Sequence, residues 1–238
     1  MKRLIVFALL AISLNSFAIG KTIKGNGIHN TETRPAGNFT RLSVGGPMNV
    51  TIRYGNSTNL TIDGDENLLP YIETTVKDGT LKIKVKDLNN INPTLKLTIQ
   101  VSMTTIDGIA QAGSGTVSGS GNFESNGNTS FNMSGSGKLS LSFASFKASD
   151  ISMSGSGSMQ LKGNIEGQLE IHQSGSGSID CLNAPCQSAT ARISGSGNMK
   201  LNAAKNLEAH ISGSGAIYYS GSPSLNSHIS GSGRIKKI

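Results

Sequence analysis

The tetrapeptide Ser-Gly-Ser-Gly recurs through the second half of this chain, beginning at Ser118, Ser134, Ser154, Ser174, Ser194, Ser212 and Ser230. The gaps are 16, 20, 20, 20, 18 and 18 residues, and a related Ala-Gly-Ser-Gly starts at Ala112. A fixed period of about 20 residues marks a solenoid, in which each coil buries its apolar face only once neighbours stack on it. Gly/Ser composition alone would suit a flexible linker, but the flanking residues exclude that. Ile193, Gly195, Gly197, Met199 and Leu201 alternate with Ser194, Ser196, Asn198 and Lys200. Met133 to Leu141, Met153 to Leu161 and Ile211 to Tyr219 repeat the pattern. Strict period two is the signature of a half-buried strand.

This register aligns Leu139, Met159, Ile179, Met199, Ile217 and Ile235 in one inward column. Leu141, Leu161, Cys181, Leu201 and Tyr219 form the next. The serines then face out and the glycines in, which predicts a narrow or kinked part of the coil where backbone approaches backbone. Turns are expected at Gly163-Asn164, Asn183-Ala184-Pro185, Ala203 to Asn206 and Ser220 to Pro223. The fold class is all-β, a parallel β-helix or β-solenoid with coils of about 18–20 residues.

Residues 35–111 lack the repeat but alternate in the same way, as in Asn49 to Arg53, Asn59 to Ile62, Thr80 to Val85 and Leu95 to Ile99. Gly45-Gly46, Gly55-Asn56, Asp63-Gly64 and Asp78-Gly79 read as turns between them. This irregular β-rich section would be the first coils or a cap, since a solenoid needs its open end covered. It precedes a repeat section at 112–238 and follows a short segment at 19–34.

Residues 1–18 read as a secretory signal peptide. Lys2 and Arg3 precede an apolar run from Leu4 to Leu14, and Ser16-Phe17-Ala18 offers small residues at a cleavage site. The run is shorter than the roughly 20 residues a spanning helix needs. The expected product is an exported protein of periplasm, outer surface or extracellular space, not transmembrane after cleavage. In such a compartment Cys181 and Cys186, across Leu-Asn-Ala-Pro, could close a disulfide or remain two buried thiols.

Phe39-Thr40-Arg41-Leu42-Ser43-Val44, Asn49-Val50-Thr51-Ile52 and Asp78-Gly79-Thr80-Leu81-Lys82-Ile83 run into the serial Ser-Gly-Ser-Gly strands. In that order, over roughly residues 35 to 238, the chain resembles the auto-transporter adhesin family of the head GIN domain, common in Gram-negative bacteria. The resemblance implies a right-handed β-helix-like fold and a cell-envelope location, and it brings no catalytic residues. A C-terminal translocator barrel, usual in autotransporters, is not visible in the sequence.

Enzymatic signatures are scarce. The recurring Gly-x-Gly lies within strands, not between a strand and a helix as dinucleotide binding needs. No G-x-S-x-G elbow, HExxH helix or calcium-binding nonapeptide occurs. The formal charge is +7, but the positives are scattered and aromatic residues are only 5% of the chain, which argues against nucleic acid. Asp150 and Glu170 share a column, as a glycosidase pair would require; two solvated charges is the simpler reading. No cofactor and no metal is expected.

Two outward features carry the binding candidates. The residues two before each motif are Asn132, Ser152, His172, Arg192, His210 and His228, with Glu170 and Glu208 in the neighbouring column. Such histidines could share a metal or, with Arg192, an anion, or simply solvate the face. The serines form two columns: Ser134, Ser154, Ser174, Ser194, Ser212 and Ser230, then Ser136, Ser156, Ser176, Ser196, Ser214 and Ser232. Regular hydroxyls suit a glycan, ordered water or another protein's edge. The resulting expectation is a non-catalytic adhesin contacting an envelope protein, host surface or glycan. The alternatives are a carbohydrate-active β-helix enzyme and a periplasmic structural or sensory partner.

Overall fold

The computed structural model describes residues 21–86 and 89–238; the expected signal peptide lies outside them. It is 71% strand and forms a β-solenoid of about 6 turns. Two parallel ladders run its length. In the first, Thr80–Val85 pairs with Arg41–Gly45, which pairs with Gly108–Gly113, and then come Asn128–Gly135, Ala148–Gly155 and Gln168–Gly175. In the second, Thr98–Met103 pairs with Asn49–Tyr54, which pairs with Thr116–Ser120, and then come Lys138–Phe146 and Ser158–Ile165. Both ladders continue through Ser178–Gly195 and Asn198–Gly213 to Ser224–Ser230 and Arg234–Lys237.

Chain order and stacking order differ at the N-terminal end. The coil at 41–54 lies between 80–103, which comes later in sequence, and 108–120. The outer side of 80–103 is closed by antiparallel strands. Ile72–Lys77 folds on Thr80–Val85, and Asn59–Asp65 pairs with both His29–Pro35 and Thr98–Met103. A 3-10 turn, Glu66–Tyr71, buries Leu68 and Leu69 under this layer. Asp78 and Gly79 both adopt positive φ, at 50° and 69°, the two-residue turn that Asp-Gly favours.

One detail sharpens the sequence reading and two correct it. The kink expected at the glycines is a corner: in the motifs at Ala112, Ser134, Ser154, Ser174, Ser194 and Ser212 a strand ends at the first glycine and the next begins after the second. At Ser230 the strand ends one residue earlier, and the motif at Ser118 instead lies at the end of Thr116–Ser120 in the second ladder. Inside-outside phase nevertheless carries across the corner, with Ile193, Gly197, Met199 and Leu201 buried and Ser194 and Ser196 exposed. Of the four turns expected in the repeats, only Ser220 to Pro223 leaves the strand. The other three remain extended because a short third side of the coil keeps pairing, as in Phe146 with Ile165 and Cys186 with Ala203. Asp63-Gly64 likewise lies within Asn59–Asp65; a Cβ on Gly64 would come within 3.0 Å of Leu97, so the glycine permits close packing there.

The third side also decides the fate of the cysteines. Leu182 to Pro185 runs extended with Ala184 buried, rather than closing a tight turn. Cys181 and Cys186 stand as buried free thiols, the second of the two alternatives. Burial pushes the Cys186 thiol up to about 12 and the Cys181 thiol higher still. Thiolate is the reactive form, so the folded protein should resist maleimide at neutral pH. After unfolding without reductant it should take two adducts by mass; recovery of none would mean that the sulfurs are joined.

Candidate functional site

In the first sheet, side chains at alternate positions form three outward columns. Pairing stacks Asn132, Ser152, His172, Arg192, His210 and His228 in one. Ser134, Ser154, Ser174, Ser194, Ser212 and Ser230 stack beside it by the same register. On its other side lie Asp150, Glu170, Thr190 and Glu208. Coil spacing of about 4.8 Å brings side chains on adjacent coils into contact range.

Contact is made where the columns carry charge. His172 Nε2 lies 2.9 Å from Glu170 Oε1, and His210 Nε2 lies 2.7 Å from Glu208 Oε1. Arg192, on the coil between them, donates from Nη2 to Glu208 at 3.0 Å and approaches Glu170 at 3.6 Å. One guanidinium therefore ties two glutamates on flanking coils, and each glutamate holds a histidine of its own strand. These side chains are half-exposed, and exposed ion pairs contribute only about 0–1 kcal/mol each. The network fixes side-chain positions more than it stabilises the fold. Glu170, engaged in this way, is not a free partner for Asp150 in glycosidic chemistry.

The His210 and His228 rings lie 6.3 Å apart, tilted by 46°. Among the described residues no group of three or more His, Cys, Asp or Glu side chains is arranged to hold a metal ion. Between the histidine and serine columns runs an open groove of about 580 Å³, lined from Ser152 to Ser230. The second serine column, Ser136, Ser156, Ser176, Ser196, Ser214 and Ser232, occupies the exposed apex of the corner, so the two columns flank an edge. Serine hydroxyls that bond internally are others, such as Ser145 to Glu166 and Asn206 to Ser188. The columns thus present hydroxyls to solvent.

Sequence reasoning missed a second hollow, on the second sheet near the covered end. It measures about 680 Å³ and is lined by Thr51, Arg53, Tyr54, Ser118, Ser120, Ser140 and Ser142. Tyr54 is 51% exposed and meets Phe123 edge-on, with ring centroids 5.7 Å apart and planes at 71°. A Cβ on Gly121 would collide with Tyr54, so this glycine is what leaves room for the ring. The one sequence signal was an aromatic residue at a strand end, before Gly55.

A capped solenoid with regular polar columns on its outer faces defines a repeat protein built around extended surface. The chain belongs to the family described as "Putative auto-transporter adhesin, head GIN domain", whose model matches residues 38–223. Among solved structures, one named a "putative adhesin", from Bacteroides fragilis, is similar with TM-score 0.84 and 25% identity, covering 91% of this chain and 100% of its own. A "Putative lipid binding protein" from Parabacteroides distasonis gives TM-score 0.75 and 25% identity, covering 92% and 100%. A "putative adhesin" from Parabacteroides merdae shares the fold with TM-score 0.68 at 19% identity, covering 92% and 100%. No curated protein matches the chain significantly.

Proposed function

We propose that this chain is an exported, non-catalytic adhesin of the cell envelope that binds through the outer face of its first sheet. The observation carrying this reading is the run of aligned serine, histidine and arginine columns beside an open groove about 580 Å³ in volume. Such a face offers donors and acceptors at fixed spacing over many coils, suited to a repeating or extended partner and not to a single small molecule. Family membership and the names of similar structures support the adhesin class. The partner is an envelope protein, a host surface or a glycan. For the similar protein named as lipid-binding, an equivalent role here would have to use the surface, because side chains fill the interior columns.

Protease shaving of intact cells tests the location, with a known periplasmic protein as control. Loss of this chain while the control survives is the expected result. Protection until the outer membrane is opened would reject surface adhesion and favour a periplasmic partner. The purified protein should also release no reducing ends from polysaccharides; steady release would revive the glycosidase alternative.

A further inference from the structure

We propose that the hollow at Arg53 and Tyr54 is a saccharide subsite for a sugar bearing a carboxylate or a sulfate, an inference that rests on the adhesin reading. Four observations converge. Tyr54 lines the hollow, is half-exposed, and packs its ring at 71° to that of the fully buried Phe123. Such a ring is amphipathic and rigid, able to stack on the apolar face of a pyranose while its hydroxyl stays wet. Arg53, next to it, is exposed, and the ion pairs among the described residues involve other cations: His29, Arg34, Lys84, His172, Arg192 and His210.

The third observation is the setting of Arg53. Its ladder neighbours on both sides are serines, Ser102 and Ser120, and Ser142 follows one coil further on. Thr51, Ser118 and Ser140 make a parallel row of hydroxyls. A guanidinium set among hydroxyls keeps its planar fork available for a two-pronged contact with an oxyanion. Fourth, Gly121 opens the ladder where Tyr54 needs space. By contrast, Arg192 on the first sheet already serves two glutamates. A ring to stack on, an uncommitted guanidinium and rows of hydroxyls together fit an acidic sugar residue.

The test measures binding of an oligogalacturonate, a heparin hexasaccharide and a neutral gluco-oligosaccharide of matched length to the folded protein by calorimetry. Binding of at least one acidic probe, at least tenfold tighter than the neutral one and weakened by salt, is expected. Preference between the two acidic probes separates carboxylate from sulfate. Arg53→Ala and Tyr54→Ala should each weaken that binding tenfold or more, with Arg53→Lys retaining part of it. Both side chains are exposed, so unchanged melting curves verify the fold of the variants. Unaltered affinity in both alanine variants would overturn the subsite while leaving the adhesin reading intact. So would adhesion to cells without affinity for any of the probes. Absence of both cell binding and sugar binding would remove the reading and the subsite together.

Discussion

Gly195→Ala is expected to destabilise the protein by roughly 2–6 kcal/mol, the sum of about 1–3 for an unfavourable backbone conformation and about 1–3 for overpacking. Ser196→Ala, one residue away, should change stability by no more than about 0.5 kcal/mol. Gly195 has φ of 125°, and its Cβ would sit 2.7 Å from the carbonyl oxygen of Gly175 on the preceding coil. That oxygen also accepts the Ser196 N–H at 3.0 Å, so it cannot retreat without loss of a coil-to-coil hydrogen bond. Gly197 is closed for another reason: a Cβ there would collide with the amide of Gln173, which donates to the Gly177 carbonyl across its own corner. Ser196 lies at the apex with its side chain in water. Urea unfolding of the variants measures the difference; equal midpoints would mean that the corner does not depend on glycine.

The second large effect is expected in the cap. Asp65 is fully buried, and its carboxylate accepts the backbone N–H groups of Gly27 at 2.7 Å and of Thr94 and Leu95 at 2.9 Å. It thereby fastens the loop before His29–Pro35 to the loop before Thr98–Met103. Burial works against its ionisation, but the N–H groups of Leu95, Gly27 and Thr94 together outweigh that and hold its pKa below the usual carboxylate range. Asp65→Ala leaves three part-buried donors without their carboxylate, and since water can reach some of them a loss of about 2 kcal/mol is expected. Because the folded pKa is the lower one, this contribution is complete above the unfolded value of about 3.9. It fades as the pH falls from there through the folded value. Asp65→Asn should therefore cost more at pH 7 than at pH 3; a cost independent of pH would show that charge is not what binds the loops.

The two positions differ in how far the sequence announced them. The repeat revealed the columns, because a period near 20 with strict alternation leaves little choice about which side chains face in. The inward glycines pointed to a narrow or kinked stretch at the motif, but not to where each strand stops, since alternation in phase passes through a bend unchanged. The third side was hidden for a related reason: Asn183-Ala184-Pro185 has turn composition, yet pairing along the stack holds it extended. Asp65 had no local signal whatever, because its three partners lie 29 to 38 residues away. Glu170 and Glu208 were placed beside the histidines by register alone, whereas Arg192 bridging both depended on side-chain reach. Tyr54 depended on a glycine 67 positions later and was unreadable until the coils were stacked.

The inverted stacking order of the first coils gives the molecule a polarity of growth. As a nascent chain lengthens, 41–54 can be joined on one side by 80–103, whose outer side is shut by the antiparallel layer. What remains is a seed with one blocked and one live edge, and each later coil extends only the live one. Like a filament nucleated on a fixed base, the stack can gain or lose a whole coil without disturbing its foundation.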